Sequence, residues 1–200
     1  MNTGIDDILE FWFGSESGDG ATAEAQKKLW WAKDAVVDAE IRERYGALVA
    51  AAAGGAHREW AREARGRLAL ILLFDQFPRN IYRDTPQAFA HDGLALRLAL
   101  DGIAAGADRE LRAIERVFFY LPLEHAESVD MQEHSVALFS ALAAGVAEAD
   151  RGSFAGFLDY AVRHRDVVRR FGRFPHRNRI LDRESTAEEI EFLKQPGSSF

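Results

Sequence analysis

Leu111-Arg112-Ala113-Ile114-Glu115-Arg116-Val117-Phe118-Phe119-Tyr120-Leu121 decides the fold class. Its apolar residues Leu111, Ile114, Phe118 and Leu121 recur every three to four positions, which lines them along one face of an α-helix. The same spacing returns at Val37, Ile41, Tyr45 and Leu48, and again at Met131, Ser135, Leu138 and Leu142. Alanine-rich stretches around residues 50–53 and 141–149 add helix propensity. No alternating run of strand length occurs, and no pair of β-branched clusters flanks a hairpin turn. The chain is predicted to be all-α.

Helix boundaries follow from caps and breakers. Thr85 before Pro86 suits an N-cap followed by the first helical position. Asp34 and Asp108 can cap the helices after them, and Ser185-Thr186-Ala187-Glu188 has capping-box spacing ahead of a short helix through Leu193 that Pro196 ends. Breaks are expected at Gly14–Gly20, Gly54-Gly55, Phe77-Pro78, Gly106, Leu121-Pro122, Gly152 and Gly172–Pro175. This leaves roughly eight helices joined by short loops, a pattern of stacked antiparallel αα-hairpins. No break has the length or composition of a linker, so residues 1–200 read as a single helical domain.

Composition narrows the function classes. Of 200 residues, 48% are hydrophobic and 28% charged, which is ordinary for a globular chain. The net charge of −7 argues against a nucleic-acid partner. The absence of cysteine removes disulfide scaffolds, thiolate-ligated zinc, iron–sulfur clusters and a thiol nucleophile. The opening Met1-Asn2-Thr3-Gly4-Ile5-Asp6-Asp7 lacks the basic and apolar regions of a signal peptide. The longest strongly apolar run, Leu68–Phe74, is too short to span a membrane. A cytoplasmic protein without a membrane partner is expected.

Familiar catalytic motifs are missing. There is no nucleophile elbow, phosphate loop, dinucleotide fingerprint or H-E-x-x-H zinc motif, and no cofactor is implied. What stands out is an internal echo: Phe74-Asp75-Gln76-Phe77-Pro78-Arg79-Asn80 and Phe171-Gly172-Arg173-Phe174-Pro175-His176-Arg177-Asn178 share F-x-x-F-P, a basic residue and a following Asn. Each Pro pushes the preceding Phe out of helical geometry, so both copies are expected to end a helix and to present Arg and Asn where it stops. A purely structural role as helix terminator accounts for the echo equally well.

Three polar clusters hold the candidate chemistry. The first is Asp75, Gln76, Arg79, Asn80 and Arg83, beside the most apolar helix. The second is Leu121–Ser128, with Glu124, His125 and Glu127, inside a segment (110–133) of local charge −4. The third is Arg163–Arg183, where eight Arg outweigh Asp166 and Asp182 for a local +6. Opposite charges predict that the third cluster meets the second, whether as an internal ion-pair network or as a site for an anion. His125, His164 and His176 could meet in space and serve as acid or base, although each alone suits a hydrogen-bonded structural role better. Glu127, Asp130 and His134 have a spacing that could ligate metal, but hydrogen-bonded structural roles suit them better, and no metal site is assigned. Trp12, Trp30, Trp31 and Trp60 read as core packing.

With these motifs placed, the chain resembles the uncharacterised bacterial family called domain of unknown function 924, to which a tetratricopeptide-like helical fold is ascribed. The resemblance rests on Ile8-Leu9-Glu10-Phe11-Trp12-Phe13-Gly14, Asp75–Asn80, Ala88-Phe89-Ala90-His91-Asp92, Phe119-Tyr120-Leu121-Pro122-Leu123-Glu124-His125, Phe171–Asn178 and Ser185-Thr186 with Glu189. Ala126 stands where the family often has Ser, and Asp182 where it often has Gly. The resemblance implies architecture and no activity.

The reading is therefore an all-α, tetratricopeptide-like stack of hairpins whose three clusters converge on a site for a small anionic ligand. Arg79, Arg173 and Arg177 would hold the anion, Asp75, Asn80 and Asn178 would complete the binding site, and Glu124, His125 and His176 would move protons. The alternative is a scaffold whose concave face grips a peptide or protein partner.

Overall fold

The computed structural model describes residues 4–199; Met1–Thr3 of the opening stretch considered above lie outside them. Ten α-helical segments follow one another: α1 Ile5–Phe13, α2 Asp19–Trp31, α3 Ala35–Ala53, α4 Ala64–Ile71, α5 Phe77–Ile81, α6 Asp92–Ala105, α7 Ala113–Glu124, α8 Val129–Gly145, α9 Arg151–Phe171 and α10 Ala187–Leu193. A π turn, Leu72–Gln76, joins α4 to α5 into one rod, so the described residues hold nine separate helices and no strand. None of these helices is long and apolar enough to cross a membrane.

The seven residues Leu68–Phe74 are apolar on every side, and all are between 0% and 5% exposed. A helix without a polar face has to be enclosed, which places the α4–α5 rod in the middle of the molecule. Beside it runs α7, with Ile114, Val117–Leu121 and Leu123 buried. Helices α1, α3 and α6 pack against the rod, α2 packs on α7, and α8 and α9 form a hairpin on the far side of α7. The centre is aromatic: Trp30 meets Phe118 at 4.6 Å between ring centroids and Tyr45 meets Phe77 at 4.7 Å. Trp12 and Trp30 belong to this core, whereas Trp31 is half exposed and Trp60 partly buried.

Two prolines expected to stop helices do not. Pro78 lies within the α4–α5 rod and Pro122 within α7. In a straight α-helix the ring of Pro78 would clash with the carbonyl of Phe74. The π turn immediately before it lets the Phe77 N–H reach back to the Leu72 carbonyl, widening the helix by one residue and relieving that conflict. Pro175 behaves as expected: α9 ends at Gly172, whose φ of 70° suits a residue without a Cβ, and Pro175 opens a short 3-10 turn. Gly152 lies inside α9 rather than before it.

The caps divide similarly. Asp34 accepts from the N–H groups of Val36 and Val37. Thr85 has extended backbone before Pro86, but its hydroxyl donates to the Tyr82 carbonyl at 2.7 Å. Asp108 caps nothing; it lies in a 3-10 turn and accepts from the Tyr120 hydroxyl at 2.6 Å. The box before α10 is Thr186 with Glu189, one residue later than the spacing first suggested.

Candidate functional site

The π turn has a second consequence: it delivers a carboxylate to the interior. Asp75 is fully buried, and its Oδ1 accepts from Nδ1 of His125 at 2.7 Å while Oδ2 accepts from Nε2 of Gln76 at 2.5 Å. Burial alone would raise the Asp75 pKa, but Arg79, 3.3 Å away, and His125 hold it well below the usual carboxylate range. An ionised carboxylate can only accept, so the His125 proton resides on Nδ1 and Nε2 carries the lone pair. His125 is the first residue after α7 and reaches the surface with 15% of its side chain exposed. Burial, with the nearby Arg79 and Arg177, pushes its pKa down despite Asp75, so the ring is neutral near pH 7.

Arg79, one turn after Asp75, forks onto Asp92 with Nη1–Oδ1 at 2.9 Å and Nη2–Oδ2 at 3.0 Å. Asp92 opens α6, where a negative charge also meets the positive end of the helix. The other motif copy brings Arg177 to the same carboxylate, but only to 3.8 Å. Its Nη1 donates to the His125 carbonyl at 3.1 Å. Its guanidinium lies between the rings of Phe89 and Phe174, 4.8 and 4.5 Å from their centroids. The Nε of Arg177 is buried without a hydrogen-bond partner. Burial, followed by repulsion from Arg79, lowers its pKa to about 10. Arg177 is thus a buried cation that is incompletely neutralised.

Two further carboxyls border the cluster and behave oppositely. Glu124 is 3% exposed, and burial together with the charge on Asp75 raises its pKa to about 8. It is therefore chiefly a neutral acid near pH 7, with Oε1 3.1 Å from Nδ1 of His164. That nitrogen also lies 2.8 Å from the Tyr160 carbonyl, which can only accept, so Nδ1 bears the proton. Glu127, by contrast, takes both arms of Arg183 at 2.7 and 2.9 Å and the Phe174 N–H at 2.8 Å. Burial opposes ionisation there, but Arg183 outweighs it and lowers the pKa. His176 is next to Arg177, and burial and that charge bring its pKa to about 3.

The structure thus gathers Asp75, Arg79, Glu124, His125, His176 and Arg177. It takes three expected site residues elsewhere. Asn80 donates to Asp38 on α3 at 2.9 Å, beside the Arg83–Asp38 fork. Arg173 forks onto Glu189 at 2.7 and 2.8 Å and secures α10. Asn178 donates to Ser185 Oγ at 3.0 Å and accepts from Arg183 at 3.1 Å, which closes the loop ahead of α10. The reason is common to all three: each finds a nearer fixed partner on its own flank. Two residues of the cluster, Phe89 and Asp92, are not among the expected site residues; the signal for them is the single stretch Ala88-Phe89-Ala90-His91-Asp92, one of those that carry the family resemblance. Among the described residues no group of three His, Asp or Glu comes together in a form that could hold a metal ion.

The family model for bacterial proteins of unknown function, DUF924, matches residues 8–197. The chain belongs to this family. The solved structure of a protein of unknown function from Agrobacterium tumefaciens is similar to this DUF924 member at 39% identity and a TM-score of 0.80, over 95% of this chain and 96% of that one. A comparison with curated proteins gives no match. The DUF924 likeness supports the helical architecture and carries no biochemical activity.

Proposed function

We propose that the cluster around Asp75, His125 and Arg177 binds a small anion, a carboxylate or phosphate, and that His125 exchanges a proton with the bound molecule. The observation that carries this reading is Arg177, whose Nε is buried without a partner and whose nearest carboxylate is shared with Arg79. A cation left in that condition costs stability unless something completes it. Arg177 and Arg79 hold the anion, Asp75 fixes the His125 tautomer, and Glu124 is a neutral carboxyl able to donate a proton. His176 borders the same space, while Asn80, Arg173 and Asn178 brace the walls.

Charge sets the pH dependence. Arg79, Arg177 and Arg183 face Asp75, Asp92 and Glu127, with Glu124 chiefly neutral near pH 7. An incoming anion adds a negative charge, and protonation of His125 balances it. The groups facing His125 are Asp75, Arg79, Arg177, His164 and His176. Affinity is therefore expected to rise as pH falls from 8 to 6. The tetratricopeptide-like scaffold reading has less support, since motif residues Asp75, Phe77, Phe174, Arg177 and Asn178 are buried rather than displayed on helix faces. A cytoplasmic location, with neither nucleic acid nor membrane as partner, goes with this proposal, and the acidic net charge of −7 supports the exclusion of nucleic acid.

The test is thermal unfolding against inorganic phosphate and a panel of small phosphorylated and carboxylated metabolites. A bound anion at one hundred times its Kd stabilises by about 2.7 kcal/mol. His125→Asn is expected to keep binding at pH 8 and to show a weaker rise in affinity toward pH 6, the remainder coming from protonation of Glu124. If no anion moves the wild-type transition, the site reading fails.

A further inference from the structure

On another face of the π turn, bounded by the end of α3, the turn after it, α4 and α6, lies a cleft of about 240 Å³. Its apolar lining comes from Ala52, Leu70, Phe74 and Leu98. Phe74 lines this cleft and the next residue, Asp75, enters the polar cluster, so the two places are separated by one step of the chain. Arg58 and Arg97 stand at the rim, with Asp101 as the accompanying acid. Arg97 and Asp101 are four apart on α6, a spacing that favours pairing, yet among the described residues neither Arg97 nor Arg58 has a hydrogen bond or ion pair. Arg58 is folded against Gly55: a Cβ there would lie 2.4 Å from its Nη2, and Gly55 has a φ of 98°. The chain thus keeps a glycine where a side chain would displace the arginine from the rim.

We propose that this cleft binds a small amphipathic carboxylate, with a compact apolar body in the hollow and its acid group held by Arg58 and Arg97. Size and charge both point to this class. An apolar hollow of about 150 Å³ accepts benzene, so this one has room for a ring with a short arm or a short alkyl chain. Two arginines against one aspartate leave the rim positive, which favours an acid over an amine. Exposed arginines act weakly, so most of the affinity has to come from the apolar body, and chain length is the sharpest probe.

The experiment is calorimetric titration of the full chain with butanoate, hexanoate and octanoate, with octylamine as the charge-reversed control. One site is expected to tighten about fourfold per added methylene until the hollow is full, with octylamine bound there far more weakly. The double variant Arg58→Gln/Arg97→Gln is expected to weaken octanoate roughly three- to tenfold with an unchanged Tm, both side chains being exposed. Ala53→Phe, placed on the cleft wall, is expected to abolish binding; should that variant fail to fold, the double variant and the chain-length series decide. Arg177→Met is expected to retain the chain-length series, which separates this cleft from the anion site. A flat chain-length series, equal binding of octylamine, or full affinity in the double variant would overturn the proposal.

Discussion

The two F-x-x-F-P copies carry the same residues on different backbones. Phe74–Asn80 runs straight through a π turn into α5, while Phe171–Asn178 follows a helix that has already ended at Gly172. Yet Arg79 and Arg177, each one or two positions after the proline, arrive at the same carboxylate, Asp92, and the same ring, Phe89. The difference teaches that the repeated element fixes a destination and not a local conformation. It also divides the labour. The first copy is rooted in the main core through Phe77, whereas Phe174 sits in a small satellite cluster with Val167 and Val168.

The largest expected effects lie in the first copy. Phe77→Ala removes a ring that meets Trp12 at 5.5 Å and Tyr45 at 4.7 Å, and is expected to cost about 3–5 kcal/mol. Chemical denaturation would measure it, and the account requires Phe174→Ala to cost less, because fewer buried apolar neighbours surround that ring. Equal losses would mean that the satellite cluster is part of the main cooperative core.

Next in size is Glu124. Its folded pKa of about 8 lies above the ordinary value of 4.5, so the folded state holds an extra proton between those limits. Stability therefore falls as pH rises through that window and the penalty is complete above it. Glu124→Gln removes the titration, and its advantage over wild type is expected to grow by about 3 kcal/mol from pH 5 to pH 8. Parallel pH–stability curves would show Glu124 to be ionised throughout. His125, His164 and His176, all pushed down by burial, act in the other direction: they are neutral in the fold, and stability is lost as pH falls below about 6.5.

Smaller still is the effect of the prolines. Pro78→Ala is expected to change stability by about 1 kcal/mol or less, because the π turn already accommodates the ring. Amide exchange across Leu72–Gln76 would reveal whether the turn survives without the proline. Its persistence would mean that the inward Asp75, and not Pro78, maintains it. Arg173→Ala is expected to raise exchange in α10 while leaving anion binding intact, since Arg173 holds Glu189 and no site residue.

Much of this was legible in the sequence because it depends on periodicity and charge. The apolar run Leu68–Phe74 announced the central helix, and the opposed charges of the second and third clusters announced the Glu127–Arg183 pair. The three histidines do gather, as the ring contacts of His125 with His164 at 6.3 Å and of Phe174 with both His164 and His176 show. What stayed hidden depends on tertiary context. Proline signals a helix stop locally, but a π turn can absorb it, and nothing in Leu72–Gln76 advertises that turn. Asn80, Arg173 and Asn178 were drawn to partners on neighbouring elements, and which partner lies closer is set by packing and not by spacing. Asp92 carries no site signal of its own, because a lone acid at the start of a helix ordinarily serves only the helix.

The central claim is that Arg177 is kept for a ligand at the expense of stability. Arg177→Met tests it most directly, because methionine fills similar space between Phe89 and Phe174 without the charge. The measurement is thermal unfolding of both proteins with and without the stabilising anion. The account predicts that the variant alone is as stable as wild type or more so, and that the anion no longer raises its transition. A loss of about 3–5 kcal/mol in the variant, with no anion effect in the wild type, would identify Arg177 as a structural partner and contradict the claim.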